Sequence, residues 1–453
     1  MTGNAFINAV SGNTGLLQAV IILAILGFSG AQLIALTARD DADKQFELRL
    51  FFAALGLRFL ASLAIYEFGF VDVIKDEDAT AWLTGAGVYQ GWVRRDLSIF
   101  NLPYEWTRAF LETLGTLGYP YLVGTVFYLT DLPARLPAAV INNVCGAATA
   151  VVVYRAAALH FSRWVAVRAA WWTCIMPSLI VWSAQTLKEP VVIFFEALSI
   201  YGCLRLRKRG FSVIGVLLCI FSLLLLVAFR AYAAYIAGAV VIVSLLIPRM
   251  ETGRNTSMSG VAVGGILALT LLGTGMIADH LTSMEEFDLT RIQEIRDYTA
   301  RNTGSGVPLE YDLKTPSGFA ISLFIGGANL LLAPFPWQLG GASLRMVLTV
   351  PDVVIWWLLM LGGCLQGLAW SLRRRPYEMM PILLFLTAMS VLYSITFSNV
   401  GLVYRYRATL MPWLLIFSMV GFEQRRLKRR LVKESEAEHI ASLQIRPVGT
   451  FAP

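Results

Sequence analysis

Long apolar runs separated by short charged turns repeat along almost the whole chain. They cover 15–37, 50–71, 136–158, 166–184, 190–206, 211–229, 231–248, 259–277, 352–372, 378–397 and 403–422. Each is close to the ~20 residues that a helix needs to cross the ~30 Å hydrocarbon layer of a bilayer. No water reaches the backbone there, so such runs must form helices. The pattern predicts an all-α, polytopic membrane protein of about eleven transmembrane helices. Two further apolar stretches, 114–130 and 317–336, are interrupted by Gly118-Tyr119-Pro120 and by Ala333-Pro334-Phe335-Pro336-Trp337. That punctuation suits helices that lie on the membrane surface or re-enter it.

The basic residues decide how these stretches are placed. If neither crosses, one side collects Arg39, Lys44, Arg49, Arg163, Arg168, the RLRKR run at 205–209, Arg249, Arg254, Arg373, Arg374, Arg375 and the tail RRLKRRLVK. The short loops of the other side hold only Lys188, Arg230, Arg405 and Arg407. Cytoplasmic loops carry the excess of Lys and Arg. The reading is therefore a multi-pass protein of an inner (plasma) membrane, with its N-terminus outside and its C-terminus in the cytoplasm. Residues 1–422 form one transmembrane domain and 423–453 a basic cytoplasmic tail. Two long outer loops remain, at about 72–135 and 278–351. The first contains the amphipathic EWTRAFLETLGTLGYPYLVGTVFYLT; the second opens on MEEFDLTRIQEIRDYTARN and ends in LFIGGANLLLAPFPW. Loops of this size carry function or interfacial helices of their own. The first 14 residues bear no charge, so the basic start of a secretory signal is missing and the first apolar run is expected to be retained.

Composition agrees with this picture and removes several function classes. The chain is 57% hydrophobic and 15% charged, against about 25% charged for soluble domains. Its net charge of +7 resides in short loops, where it encodes orientation, so no nucleic-acid partner is expected. The five cysteines all fall in apolar runs without CxxC spacing, as small core residues do. The three histidines are far apart in sequence, which argues against a histidine metal site.

The charges that orientation does not explain lie on the outer rim. Asp72, Asp76, Glu77 and Asp78 follow the run 50–71, Lys188-Glu189 precede Pro190, Arg230 interrupts 211–248, and Tyr404-Arg405-Tyr406-Arg407 heads the last run. Each has a plain reading: a solvated loop start, an ion pair at a helix end, a hairpin break, arginines snorkelling to the interface. Taken together they place carboxylates and guanidiniums on one face. Guanidinium forks match phosphate oxygens, and a carboxylate can act as base toward an incoming hydroxyl or amine. This combination suits group transfer from a lipid phosphate, with Lys188, Glu189, Arg230, Arg405 and Arg407 as the binding groups. Arg58 and Glu67, inside the run 50–71, are the intramembrane ionisable groups that stand out, and they must face protein or water.

The order of features resembles the GT-C superfamily of membrane glycosyltransferases, in the branch of aminoarabinose transferases and protein O-mannosyltransferases. The residues that carry the resemblance are Asp76-Glu77, Leu117-Gly118-Tyr119-Pro120, Pro133-Ala134-Arg135-Leu136-Pro137, the turn Arg163 to Arg168, Pro177, Trp182-Ser183 and Glu189. It spans about 70–210 of the chain. The resemblance implies a GT-C-like fold, Asp76 as catalytic carboxylate with Glu77 beside it, Glu189 as a second acidic position near Lys188, and Arg405 or Arg407 on the lipid phosphate. Two features depart from the pattern: Asp78-Ala79-Thr80-Ala81-Trp82 stands where a Tyr is usual, and the run 15–37 precedes the expected first span. The implied partners are a polyprenyl-phosphate-linked sugar, a glycan, lipid or protein acceptor, and membrane lipids. No cofactor is required, although Asp76 and Asp78 form a DxD-like pair that leaves room for a divalent metal with Glu189. An O-antigen polymerase or ligase would instead use Arg291, Arg296 and Arg301 of the second loop. A transporter of lipid-linked sugars would need ionisable groups at mid-bilayer, and a non-catalytic assembly subunit would need none of these residues.

Overall fold

Backbone groups in an apolar run can bond only to each other, and the described residues are almost entirely helical. The computed structural model describes residues 14–70, 118–210, 212–247, 289–302, 311–339 and 349–444, with short pieces at 85, 88–89, 264–265 and 306–307. In chain order the helices are α1 (Leu16–Thr37), α2 (Asp41–Tyr66), α3 (Arg135–His160), α4 (Arg163–Ile175), α5 (Pro177–Ser183), α6 (Glu189–Arg209), α7 (Val213–Phe229) and α8 (Ala231–Leu246). They continue with α9 (Leu289–Asn302), α10 (Pro316–Leu332), α11 (Val350–Leu359), α12 (Leu365–Arg374), α13 (Pro376–Ile395) and α14 (Val400–Gln444). Residues 118–130 are helical as well. Several starts are set by side-chain caps: Asp40 accepts the Asp43 amide at 2.7 Å, and Ser162, Ser212 and Thr315 cap α4, α7 and α10.

Among the described residues five helices are long and apolar enough to cross a membrane: α1, α2, α3, the continuous Val350–Arg374 pair with its π turn at Met360–Cys364, and α13. The chain is thus a multi-pass helical membrane protein. The expected count of eleven spans is not reproduced as such. The run 166–184 is two helices bent by 54°, α7, α8 and α10 are shorter at 17, 16 and 17 residues, and 259–277 lies largely outside the described residues. The last run is part of α14, one helix of 45 residues that continues through the basic tail.

Cross-helix bonds define two ends of the bundle. At one end Arg155 pairs with Glu47 at 2.5 Å and Tyr154 donates to Asp43, so the end of α3 meets the start of α2. Arg207 at the end of α6 reaches Tyr377 O at the start of α13, and Ser162 meets Glu423 of α14. Arg163, Arg207, Lys208, Arg209 and Arg373 to Arg375 all stand at this basic end. At the opposite end Ser62 of α2 bonds Asn143 of α3, and α6, α8, α11 and α14 begin there.

Both ambiguous stretches belong to that opposite end. Tyr119 meets Asn142 of α3, and the helix it opens returns to the start of α3 at Arg135. The final carbonyls of α10, from Leu331, Leu332 and Ala333, accept Trp356 Nε1, Trp357 Nε1 and Arg407 Nη1. All three donors lie within about two turns of where α11 and α14 begin, so the end of α10 is tied to the starts of those two helices.

Interior helix ends are closed by arginine. Pro177 cannot donate to Thr173 O, and Ser178 N is drawn to Asp352 Oδ1 at 2.9 Å, so the carbonyls at the end of α4 lose their helical donors. Arg58 fills the gap, reaching Thr173 O at 3.1 Å and Cys174 O at 3.0 Å from a fully buried position. Gly146 makes room, because a Cβ there would sit 2.6 Å from Arg58 Nε. Arg58 does face protein, as its place in the run required, whereas Glu67 caps the end of α2 and is exposed. Elsewhere helices touch backbone to backbone: a Cβ on Gly421 of α14 would lie 2.0 Å from the Gly363 oxygen.

Arg58→Met strands both carbonyls and is expected to cost about 2–5 kcal/mol, read as a lower Tm in detergent. Arg58→Lys, which keeps the charge but loses the fork, falls between. An unchanged Tm for Arg58→Met would show that the break closes without the guanidinium.

Candidate functional site

The turn that presents Lys188 and Glu189 is held from below by α2 and α3. Ser62 Oγ donates to Ala184 O at 2.8 Å, and the Tyr66 hydroxyl accepts Thr186 N at 3.0 Å. Asn142 Nδ2 lies 2.5 Å from Gln185 O and 2.7 Å from Leu187 O. These bonds satisfy a buried turn that no helix continues. Lys188 is then the cap of α6 and half-buried, while Glu189 is its first residue and only 1% exposed.

Two guanidiniums converge on that carboxylate. Arg230 Nη2 lies 2.6 Å from Glu189 Oε1, and Arg405 Nη2 lies 2.7 Å from Glu189 Oε2. Arg230 is the joint between α7 and α8, with φ −161° and ψ 87°, so the backbone itself turns at the residue whose side chain points inward. Arg405 comes from the second turn of α14. The three residues are far apart in sequence and meet at the end of the bundle opposite the basic end. One carboxylate between two guanidiniums, with Lys188 at the helix cap, leaves a cationic surplus. Arg230 Nη1 is a buried donor without a hydrogen-bond partner among the described residues.

Arg405 and Arg407 do not act as the pair that the sequence suggested. Two residues along a helix are about 200° apart, and they face opposite ways. Arg407 is fully buried, donates to Ala333 O at 2.6 Å and lies 4.8 Å from the Tyr404 ring centroid. Tyr404 in turn donates to Asp352 Oδ2 at 2.5 Å, the same carboxylate that caps α5. Arg407 belongs to the scaffold around the α4–α5 break.

Sequence reading missed an inner layer beneath Glu189. Glu196 follows it by seven residues, two turns deeper on the same face of α6. It is 1% exposed, and both its oxygens lack a hydrogen-bond partner among the described residues. Tyr232 and Tyr406 lie 5.6 and 6.0 Å from the Arg230 guanidinium carbon, and Tyr406 stacks on Tyr393 at 4.4 Å. The signal was available: an ionisable residue inside the run 190–206 marks a functional position by default, and Arg58 and Glu67 were not the only such groups.

Asp76, Glu77 and Asp78 lie outside the described residues. Both oxygens of Glu189 are taken by guanidiniums, so this carboxylate does not fit the third ligand position of a metal site. Of the arginines expected for a polymerase or ligase, Arg296 is buried on Tyr311 O at 3.0 Å and Arg301 is exposed. Five residues apart on α9, they point about 140° away from each other.

No family model and no curated protein matches the chain. Among solved structures it is similar to the archaeal oligosaccharyltransferase AglB from Archaeoglobus fulgidus in complex with an inhibitory peptide and a dolichol-phosphate. The identity is 14% and the TM-score 0.46, over 85% of this chain and 52% of that one. The apo form of the Archaeoglobus fulgidus oligosaccharyltransferase gives a TM-score of 0.44 at the same identity and coverage. The chain spans about half the length of these structures.

Glu189→Gln removes the charge that the buried Arg230 and the half-buried Arg405 share. The expected loss is about 3–5 kcal/mol, measured as a fall in Tm, whereas Lys188→Gln at the half-buried cap should shift it far less. Equal effects of the two would mean that Glu189 holds no special place between Arg230 and Arg405.

Proposed function

We propose that the protein is a membrane glycosyltransferase that moves a sugar from a polyprenyl-phosphate-linked donor to an acceptor. The reaction takes place at the outer, periplasmic face, with the basic end in the cytoplasm. The observation that carries this reading is the Glu189-bridged pair of Arg230 and Arg405, cationic in sum and with a buried donor unfilled. Such a site asks for an anion. A phosphate accepts from two guanidinium forks at once, and a lipid phosphate reaches a site at the bundle end without leaving the bilayer.

Displacement at the anomeric carbon breaks the bond to the lipid phosphate and leaves that phosphate with an added negative charge. Donors fixed before the reaction stabilise charge that develops during it. Glu189 keeps Arg230 and Arg405 in place in the absence of substrate, and Lys188 adds a third cation. Asp76, in the segment that follows α2 in sequence, takes the proton of the acceptor hydroxyl or amine as the new glycosidic bond forms; Glu77 supports it. Arg407 and Glu189 enter this scheme as positioning groups and not as phosphate or metal ligands.

Mass spectrometry of surface glycans and lipid extracts from a strain lacking the protein tests the reaction. One sugar should be missing from a glycan while its polyprenyl-phosphate form accumulates. Complementation with Asp76→Asn or Arg405→Ala should restore transfer at least ~10²-fold less efficiently than the native chain, and Arg301→Ala should restore it fully. Full activity of Asp76→Asn would move the protein to the polymerase or ligase class, and a strain without lipid-linked sugar accumulation would end the transferase reading.

A further inference from the structure

Three helices leave a groove of about 460 Å³ between them that runs from Ile355 and Leu358 toward the basic end at Trp164 and Phe422. Its walls are regular helical stripes: Trp164, Arg168 and Trp172 on α4, Ile355, Leu358 and Leu359 on α11, and Met419 and Phe422 on α14. Residues three and four apart share a helix face, so α11 and α14 turn apolar strips toward the space and α4 two tryptophans with Arg168 between them. Leu358 is 67% exposed, which leaves the groove open along its side to whatever surrounds the bundle. In a membrane-spanning chain that surrounding is lipid.

The mouth is cationic and aromatic. The Arg168 guanidinium carbon lies 4.0 Å from the centroid of the Trp164 ring, and that of Arg426 lies 5.5 Å from it. Two exposed guanidiniums therefore flank one indole, and neither belongs to an ion pair among the described residues. The neighbouring polar groups are engaged elsewhere: Glu423 accepts from Ser162, and Arg425 donates to Gln366. Those two bonds fix α14 against α4 and α12 and hold the groove in shape.

We infer that this groove binds an anionic glycerophospholipid of the leaflet at the basic end, with one acyl chain along the apolar strips and its phosphate between Arg168 and Arg426. Charge decides the occupant. Basic pockets between helices select anionic headgroups, and a zwitterionic lipid would bring its own cation against two arginines. An indole at the boundary between apolar wall and charged mouth sits where aromatic rings gather at membrane interfaces. The site is independent of the transferase reading, because it shares no residue with the Glu189 cluster.

Native mass spectrometry of the full-length protein in detergent, titrated with phosphatidylglycerol or phosphatidylcholine, tests it. The first phosphatidylglycerol should bind at least ~10-fold more tightly than the first phosphatidylcholine. The double variant Arg168→Gln, Arg426→Gln should bind the two equally. Leu358→Trp, at an exposed position that tolerates bulk, should fill the groove and weaken the first binding event of either lipid. No headgroup preference in the native protein overturns the inference, as does a preference that survives the loss of both arginines.

Discussion

Carbonyl groups at helix ends are the constraint around which this bundle is organised. A helix that stops inside a membrane protein leaves carbonyls that no water can reach, and here arginine answers at several of them. Arg58 closes α4 at Thr173 and Cys174, Arg207 closes α8 at Ser244 and Ile247, Arg375 meets His160 O at the end of α3, and Arg407 meets Ala333 O after α10. A planar fork with five donors can bond two carbonyls at once and still lie flat against a ring, which an ammonium cannot do. The bend between α4 and α5 is the clearest case, because Asp352 completes it from the other side by capping the start of α5. Positive charge at the end of one helix and negative charge at the start of the next also match the dipoles of both.

This requirement sorts the arginines of the bundle into two kinds. Those that meet backbone carbonyls are committed to the fold. Arg230 and Arg405 instead meet a side chain, Glu189, at the bundle end where the turn 184–188 is tied down by α2 and α3. A shared carboxylate keeps two like charges together in a poorly solvated place, and it does so without using up every donor.

Much of this was readable in the chain. The apolar runs, the caps at Asp40, Ser162, Ser212 and Thr315, and the interruption at Arg230 all follow from local patterning, as does the gathering of basic loops at one end. The parts that were not readable depend on direction or distance. Arg405 and Arg407 look like a pair in sequence, yet helical geometry sends them apart. Arg58 finds carbonyls 115 and 116 residues away, and nothing local announces that Pro177 will create a need for it. Glu196 was legible from its seven-residue spacing to Glu189, but a run read only for hydropathy hides a single carboxyl. Asp352 reads as the polar start of a span, and only the folded chain joins it to Ser178 and Tyr404.

One helix, α14, carries Arg405 and Arg407 on opposite flanks, ahead of Pro412 in the same helix. A single stretch of backbone therefore serves the Glu189 cluster on one side and the Ala333 carbonyl on the other. An insertion of one residue ahead of that stretch would turn both guanidiniums away from their partners at once.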